Sequence, residues 1–294
     1  MGASHEPRGT LFVVGTPIGN LDDLSPRAVE ALASSDLIAC EDTRRTRVLL
    51  TRHGLSTRLV SYHAFNEGRR LPDLLEALQR GGRVALVSDG GTPGISDPGA
   101  LLVRAAREAG YRVVPIPGPS AITTLVSASG FAPGPFTFIG FLPHRKGERR
   151  RTLQALRAEP RPLLFFESPR RFIATLADAL EILGDRDVCV GREMTKLHEE
   201  LLTGTITTLM AAFEGREPRG EIAFLLAGSS RAPFPAVAST GQEVKLNESP
   251  ASRVRRLIDS GVDRKEAMRR VAREAGLSRR DLYRQVVSER MKKE

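Results

Sequence analysis

The stretch Arg83-Val-Ala-Leu-Val-Ser-Asp-Gly-Gly-Thr-Pro-Gly-Ile-Ser-Asp-Pro-Gly99 joins a short apolar run directly to a loop of glycine, proline, aspartate and serine. The apolar run at 84–87 is typical of a buried parallel strand. The glycines of the loop permit backbone angles and close approaches that a Cβ atom would prevent, whereas Pro93 and Pro98 restrict the backbone. In open α/β sheets, ligands bind beyond the carboxyl ends of the strands. The loop that begins at Asp89 therefore predicts a small-molecule site.

Apolar runs and amphipathic patterns alternate along the rest of the chain. Besides the run at 84–87, strands are predicted at 11–14, 36–40, 58–63 and 112–116. Helical patterns separate them, and this order predicts a parallel sheet with helices on both faces. A passage rich in glycine and proline at 130–135 predicts a domain boundary. Beyond it, the sequence predicts strands at 136–141, 163–166, 187–191 and 221–227, with a basic loop at 144–151.

The length of 294 residues exceeds one typical core and favours two main domains. Polar clusters follow strand ends in both halves, so a ligand is expected between them. The predicted fold class is therefore α/β, with two α/β domains, a cofactor cleft between them and a small C-terminal helix-turn-helix-like module. The predicted boundaries are a flexible tail at 1–9, domains at 10–129 and 130–230, a linker at 231–249 and a basic three-helix module at 250–294.

The positive charge of the chain is concentrated near its C-terminal end. The net charge is +9, and residues 250–294 hold fourteen Lys or Arg against seven Asp or Glu. A polyanionic partner, above all a nucleic acid, is the direct inference. An Ala-Gly-Leu-Ser turn between helical patterns predicts a helix-turn-helix, with Arg279, Arg280 and Arg284 on or near the exposed side of the second helix. A solvated three-helix cap that is merely basic is the alternative.

Several classes of protein are disfavoured by what the sequence lacks. No run approaches the 18 or so apolar residues of a membrane span, and the first eight residues lack the apolar core of a signal peptide, so we expect a cytoplasmic protein. Cys40 and Cys189 lie in apolar runs, which favours strand packing over a disulfide or a metal site. The missing Gly-x-Gly-x-x-Gly and Gly-x-x-x-x-Gly-Lys-Ser/Thr fingerprints argue against a dehydrogenase or a P-loop ATPase.

Seven motifs follow one another along residues 10–228. They are Gly15-Thr-Pro-Ile-Gly-Asn20, Glu41-Asp-Thr-Arg44, Ser88-Asp-Gly-Gly-Thr-Pro-Gly-Ile-Ser-Asp-Pro-Gly99, Pro117-Gly-Pro-Ser-Ala121, Phe141-Leu-Pro143, Phe166-Glu-Ser-Pro-Arg170 and Arg192-Glu-Met-Thr-Lys196. In this order they resemble the ribosomal small-subunit methyltransferase I family of the tetrapyrrole methylase superfamily. The C-terminal helices resemble the small domain of that family. Position 90 is glycine where the family pattern has alanine, which should only loosen the loop.

The resemblance implies an activity, a cofactor and partners. The activity is 2'-O-methylation of a cytidine ribose in the decoding region of 16S rRNA, as free RNA or in the 30S ribosomal subunit. The implied methyl donor is S-adenosyl-L-methionine, folded in the cleft between the domains, and the usual state of the superfamily implies a homodimer. The predicted cofactor-binding residues are Gly15, Thr16, Pro17, Asp89, Gly90, Thr92, Pro93, Ser96, Ser120, Ala121, Phe166 and Glu167.

The implied reaction depends mainly on positioning, but a ribose hydroxyl is a weak nucleophile near neutral pH. A group that accepts its proton contributes about 10²- to 10⁴-fold. Asp42, Glu193 and Lys196 are the candidates, each with a structural alternative: Glu193 can pair with Arg192 or Lys196, and Asp42 can cap a helix. The predicted RNA-binding residues are Arg44, Arg45, Arg145, Lys146 and Arg149, together with Arg279, Arg280 and Arg284.

Two other functions remain open at the level of sequence. A methyltransferase of the same fold can act on a tetrapyrrole, although such an enzyme would not need the basic C-terminal segment. The second function is that of a non-catalytic RNA-binding or ribosome-assembly factor with a vestigial cleft. Tight binding of S-adenosyl-L-methionine would count against this function.

Overall fold

The computed structural model describes residues 9–131, 134–215 and 218–229, and further along the chain residues 254, 257–258, 263–274, 278, 281–283 and 286. The chain forms two compact units, Met1–Ala232 and Pro233–Glu294. Of the predicted tail at 1–9 only Gly9 is described, and the predicted linker at 231–249 lies outside the described residues.

The first sheet is parallel throughout, as the alternation of strands and helices predicted. Its strands are β1 (Thr10–Val14), β2 (Leu37–Cys40), β3 (Leu59–Ser61), β4 (Arg83–Val87) and β5 (Arg112–Ile116). They lie in the order β3-β2-β4-β1-β5. The helices are α1 (Pro26–Ala33), α2 (Thr43–Arg52), α3 (Glu67–Gln79), α4 (Ala100–Glu108) and α5 (Ala121–Ala128). The Ser25 hydroxyl accepts a hydrogen bond from the Ala28 amide and caps α1.

Helices cover both faces of this sheet, because successive residues of a strand point to opposite sides. In β4, Ala85 and Val87 pack with α1 and α2, whereas Val84 and Leu86 pack with α3 and α4. All four side chains are buried, and full burial of an aliphatic side chain of valine or leucine size contributes about 1.5–3 kcal/mol. The doubly covered sheet predicted from the sequence is confirmed.

The second sheet is mixed. Its strands are β6 (Thr137–Phe141), β7 (Leu163–Glu167), β8 (Asp187–Arg192), β9 (Glu200–Thr205) and β10 (Ile222–Leu226), in the order β6-β7-β10-β8-β9. Strands β6 and β7 are parallel, whereas β10 runs antiparallel to β7 and β8, and β9 antiparallel to β8. Helices α6 (Lys146–Ala155), α7 (Pro169–Leu183) and α8 (Ile206–Ala212) cover one face. Strand β9 and helix α8 are absent from the predicted elements, because this edge strand carries no continuous apolar run.

Helix α5 packs against the other face of the second sheet, although it follows β5 of the first. Leu125 of α5 is fully buried in a cluster with Leu164, Cys189 and Ala223, which belong to β7, β8 and β10. Both sheets lie in the first compact unit. The division into separate domains at 10–129 and 130–230 stays a prediction.

The two cysteines are free and buried within strands, Cys40 in β2 and Cys189 in β8. The apolar packing predicted for them is confirmed. None of the helices in the described ranges has both the length and the apolar character that crossing a membrane requires.

The C-terminal unit contains helix α9 (Arg264–Glu274) and further helical residues on both sides of it. Its buried cluster comprises Val254, Ala267, Val271, Ala272 and Leu282. The carboxylate of Asp263 accepts hydrogen bonds from the amides of Lys265 and Glu266 and caps the start of α9. The helix-turn-helix arrangement stays a prediction. Arg279, Arg280 and Arg284 lie outside the described residues.

The prediction of a basic loop at 144–151 is wrong, because helix α6 begins at Lys146. Arg149 on this helix is only 6% exposed and donates from Nε and Nη2 to Oδ2 of Asp178, at 2.8 and 2.6 Å. Arg150 donates to the other oxygen of Asp178 at 3.0 Å. The RNA contact predicted for Arg149 is therefore corrected: its guanidinium is held in a buried ion pair and is not available to a phosphate.

We predict that Arg149→Ala lowers the free energy of unfolding by about 3–5 kcal/mol, because it leaves a buried carboxylate with only part of its pairing. Arg145→Ala is the matched control, since the Arg145 side chain is 86% exposed, and should change stability by less than about 0.5 kcal/mol. Urea denaturation followed by circular dichroism measures both. Equal losses in the two variants would contradict this account of Arg149.

Candidate functional site

A cavity of about 720 Å³ opens at the carboxyl ends of β1, β2 and β4 and is bounded by β6, β7, β10 and the loop after β8. Ten residues of the predicted cofactor set line it: Thr16, Pro17, Asp89, Gly90, Thr92, Ser96, Ser120, Ala121, Phe166 and Glu167. Gly15 and Pro93 do not. The strand-end loops that the sequence singled out therefore converge on one cavity.

The glycine loops after β1 and β4 are joined by backbone hydrogen bonds. The Thr16 amide donates to the Gly91 carbonyl at 2.8 Å, and the Gly91 amide donates to the Thr16 carbonyl at 2.9 Å. The Thr16 hydroxyl donates to the Ser88 carbonyl at 3.2 Å. Gly91 has a φ of +89°, which favours glycine. An alanine at position 90, as in the family pattern, would bring its Cβ within 3.2 Å of the Pro17 carbonyl oxygen, so the glycine relieves a tight contact.

Gly15 permits the end of β1 to lie directly against the chain that follows β5. A Cβ atom on Gly15 would lie 2.7 Å from the Gly118 amide nitrogen and 2.8 Å from the Gly118 Cα. Both are backbone atoms, so no side chain can move to relieve the overlap. The role of Gly15 in the structure is close backbone packing behind the cavity.

Asp89 connects the loop after β4 to the loop after β2. Its Oδ1 accepts a hydrogen bond from the Asp42 amide at 2.9 Å, and its Oδ2 lies 3.6 Å from the Arg45 guanidinium. Thr16 and Gly91 join the loops after β1 and β4, so the ends of three adjacent strands are held together. This places the predicted cofactor residue Asp89 at the centre of the cavity's framework.

The same side of the cavity is acidic. Burial and the nearby Glu41 and Asp89 carboxylates together raise the pKa of Asp97 to about 6, although a hydrogen bond with Ser88 opposes them. Burial and Asp89 likewise raise the pKa of Glu41. Both shifts favour the neutral acid, because like charges are brought together out of water.

Backbone strain is concentrated at the cavity. Among the described residues other than glycine, Ser96, Glu193 and Thr195 alone have positive φ, at +62°, +49° and +67°. Ser96 lies in the loop after β4, and the other two lie in the loop after β8. The Asn20 amide donates to the Thr195 hydroxyl at 3.0 Å, so the loops after β1 and β8 are in contact. Strained residues of this kind cost about 1–3 kcal/mol each and cluster at functional sites.

Of the three predicted proton acceptors, Asp42 has the structural role that was its alternative, which is to cap a helix. It caps α2 by accepting a hydrogen bond from the Arg44 amide at 2.8 Å, and the Arg44 guanidinium lies 2.7 Å from its other oxygen. These bonds hold the pKa of Asp42 well below its usual range. It does not line the cavity.

Glu193 and Lys196 pair with each other, at 2.8 Å between Oε1 and Nζ, and Lys196 also lies 3.1 Å from Glu221. Burial opposes both charged forms. The hydrogen bonds of the cluster outweigh it, lowering the pKa of Glu193 and raising that of Lys196. Lys196 lines the cavity, whereas Glu193 does not. The ammonium of Lys196 is therefore suited to donating hydrogen bonds, and neither group is suited to accepting a proton near neutral pH.

Glu167 lies at the cavity, but its carboxylate is directed into the protein. Oε1 accepts a hydrogen bond from the Ser168 amide at 2.8 Å, Oε2 accepts one from the Thr175 hydroxyl at 2.8 Å, and Arg171 lies 3.2 Å from Oε2. The carboxylate therefore orders the loop after β7.

Exposed arginines lie beside the cavity on α2. The side chains of Arg44 and Arg45 are 89% and 63% exposed, and Arg45 lines the cavity. Arg145 and Lys146 at the start of α6 are also exposed. These four residues of the predicted RNA-binding set are accessible to a phosphate.

Other cavity residues were not predicted. Val48, Ile95 and Phe141 are apolar, exposed and part of the lining, and the Phe141 ring lies 5.6 Å from that of Phe166. Asp97 was missed because Asp-Pro in a glycine-rich loop is also an ordinary turn signal. Val48 was missed because helical periodicity does not show which face of a helix borders a cavity.

The fold is shared with known proteins. Residues 10–210 match the family model described as tetrapyrrole (corrin/porphyrin) methylases. A solved structure of cobalt precorrin-4 methyltransferase is similar with a TM-score of 0.58 and 17% identity, over 76% of this chain and 98% of that chain. Diphthine synthase is similar with a TM-score of 0.61 and 16% identity, over 74% and 90%. The chain belongs to the tetrapyrrole methylase family.

Sequence relatives narrow this assignment. Proteins named ribosomal RNA small subunit methyltransferase I are 43% identical in Synechocystis sp., over 94% of this chain and 96% of that protein, and 48% identical in Thermotoga maritima, over 75% and 99%. The Bacillus subtilis protein of the same name is 39% identical over 94% and 93%. Within the tetrapyrrole methylases, the chain belongs to the family that these relatives form, as the seven ordered motifs indicated.

We predict that Gly15→Ala lowers the free energy of unfolding by about 1–3 kcal/mol, because the new Cβ overlaps the Gly118 backbone. Gly147→Ala is the matched control: Gly147 lies in α6 with no atom within 4 Å of an added Cβ, so alanine should be neutral or stabilise by up to about 1 kcal/mol. Thermal and urea unfolding measure both. A Gly15→Ala protein as stable as the wild type would contradict the close packing described here.

Proposed function

We propose that this protein transfers a methyl group from S-adenosyl-L-methionine to the ribosomal RNA of the small subunit. We further propose that the acceptor is the 2'-oxygen of a cytidine ribose in the decoding region of 16S rRNA. The observation that carries the proposal is the cavity of about 720 Å³ formed by the ordered family motifs, in a chain whose relatives bear the name of a ribosomal RNA methyltransferase. The ribose position and the base rest on the resemblance of the motifs.

The residues of the cavity fit the proposed cofactor. Its volume lies within the range of about 300–1,000 Å³ that small-molecule sites occupy. The glycine loops leave backbone groups accessible, and Ile122, Phe166 and Ala223 provide apolar lining. The carboxylate of Asp89 complements a ligand that carries a positive sulfonium.

Each part of the lining has a separate role in this proposal. The loop from Ser88 to Ser96, together with Ser120 and Ala121, would hold the cofactor, which supplies an electrophilic methyl group when bound. Lys196 would donate hydrogen bonds to the substrate as an ammonium, fixed by Glu193 and Glu221. Holding the ribose hydroxyl in line with the methyl group accounts for up to about 7–11 kcal/mol of the barrier.

The exposed arginines account for the RNA substrate. Arg44 and Arg45 would contact phosphates at the edge of the cavity, and Arg145 and Lys146 would extend the contact. The C-terminal residues 250–294 carry a net charge of +7 and would add a further phosphate-binding surface. Such contacts make RNA affinity fall steeply with salt concentration. A cytoplasmic location and a homodimer complete the proposal, and the homodimer rests on the resemblance to the superfamily alone.

We predict that Asp89→Ala weakens binding of S-adenosyl-L-methionine by about 10- to 100-fold, as expected for loss of charge-assisted hydrogen bonds of about 1.5–3 kcal/mol. The reason is that the loop after β4 loses its bond to the Asp42 amide. Isothermal titration calorimetry measures the dissociation constant. Asp73→Ala removes an exposed carboxylate on α3 outside the cavity and should leave it unchanged. Similar binding by Asp89→Ala and wild type would contradict this role.

Transfer of a radiolabelled methyl group from S-adenosyl-L-methionine to 30S subunits that lack the modification tests the proposed function. Nuclease mapping of the labelled nucleotide identifies the acceptor atom. We expect label on a ribose 2'-oxygen of a cytidine in 16S rRNA. Cofactor binding without label on RNA would redirect the search to a tetrapyrrole or protein acceptor. Absence of cofactor binding would indicate a non-catalytic factor.

A further inference from the structure

We propose that Asp97 is the group that accepts the proton of the ribose hydroxyl during methyl transfer. This inference rests on the proposed function and extends it. Asp97 lies within the Ser88–Gly99 motif, but the sequence did not indicate it as a proton acceptor. It follows from three features of the described residues: the position of Asp97 in the cavity, the engagement of the other candidates, and the charges around it.

Asp97 lines the cavity in the loop between β4 and α4. The residue before it, Ser96, has a φ of +62°, and the residue after it is Pro98, so the backbone on both sides is restricted. A Cβ atom on Gly140 would lie 3.1 Å from the Ser96 hydroxyl, which shows how closely β6 packs against this loop. The Asp97 carboxyl is thus held at the cavity wall by a rigid turn.

The two carboxylates predicted as proton acceptors and the cavity residue Asp89 are engaged, and Glu41 does not line the cavity. Asp42 is paired with Arg44, Glu193 is paired with Lys196, and Asp89 binds the Asp42 amide with Arg45 nearby. Among the described residues, no ion pair includes Asp97. A carboxylate without a cationic partner is a better proton acceptor than one whose charge is already neutralised.

The charges around Asp97 strengthen its basicity. Burial, Glu41 and Asp89 together raise the pKa of Asp97 to about 6, against the opposing hydrogen bond with Ser88. Burial and Asp89 raise the pKa of Glu41 itself, whereas Arg45 and His63 oppose this rise. A base with a pKa just below the working pH is mostly ionised and still takes up a proton readily.

The proton and electrons of the step balance as follows. The O–H bond of the ribose hydroxyl breaks and its proton moves to an Asp97 oxygen, while the ribose oxygen forms the new bond to the methyl carbon. The electron pair of the broken carbon–sulfur bond stays on the sulfur of the donor. Asp97 then returns the proton to solvent, so the carboxylate is regenerated for the next turnover.

The test is the pH dependence of single-turnover methyl transfer to 30S subunits by wild type, Asp97→Asn and Asp97→Glu, with cofactor binding measured in parallel by calorimetry. The wild-type rate should rise with pH through an apparent pKa near 6, because the base must be ionised. Asp97→Asn should lose about 10²- to 10⁴-fold in rate and lose this rise, with cofactor affinity within about threefold of wild type. Asp97→Glu should retain partial activity, and its rate should rise with pH through a different apparent pKa. Asp73→Asn, on α3, is the matched control and should behave as wild type.

Each other outcome overturns the proposal in a distinguishable way. A wild-type protein that binds the cofactor but labels no RNA contradicts the proposed function and, with it, this role. If the wild type is active and Asp97→Asn has an unchanged rate, Asp97 is not the proton acceptor, while the proposed function stands. The same conclusion follows if the rate of Asp97→Asn is reduced but still rises with pH as in the wild type. If Asp97→Asn loses cofactor affinity by as much as it loses rate, Asp97 binds the cofactor and is not the proton acceptor. If Asp97→Asn does not fold, an Asp97→Glu profile that matches the wild type rejects the proposal.

Discussion

The contact between helix α5 and the second sheet determines where the cavity lies. Leu125 is fully buried among side chains of β7, β8 and β10, yet α5 begins immediately after the strand-end loop of β5. Ser120 and Ala121, at the start of α5, therefore line the cavity. The middle of α5 packs against one face of the second sheet. The carboxyl ends of the parallel strands would otherwise face open solvent. This apolar contact therefore links the two sheets and, with the Asn20–Thr195 hydrogen bond between the loops after β1 and β8, helps to set the shape of the site.

Rigidity at the cavity comes from backbone groups and small residues rather than from large side chains. The paired hydrogen bonds of Thr16 and Gly91 join two loops, and the Asp89 carboxylate joins a third. Positive φ values at Ser96, Glu193 and Thr195 show that the loops are held in conformations they would not adopt alone. The surrounding hydrogen bonds and packing must offset this strain. Such a framework suits a reaction in which alignment supplies most of the rate enhancement.

The sequence predicted those parts of the fold whose signals are local. The apolar run before Ser88 and the glycine loops needed no knowledge of distant residues, and the structure has both. The direction of β10 and the existence of β9 depend on pairing between strands far apart in the chain, which periodicity does not show. Arg149 was misassigned for the same reason: the carboxylate that binds it, Asp178, is 29 residues away. Asp97 escaped notice because its environment depends on burial and on Glu41, which follows a different strand.

The two buried cysteines make each sheet chemically distinguishable from the other. Burial raises the pKa of the Cys40 thiol in the first sheet, and raises that of Cys189 in the second to about 11. Only the thiolate reacts readily with alkylating reagents, and neither sulfur is accessible in the folded protein. Modification of either cysteine therefore requires its own strand to be exposed. The order in which the two become labelled under mild denaturant would report whether the sheets open one after the other or together, without any introduced probe.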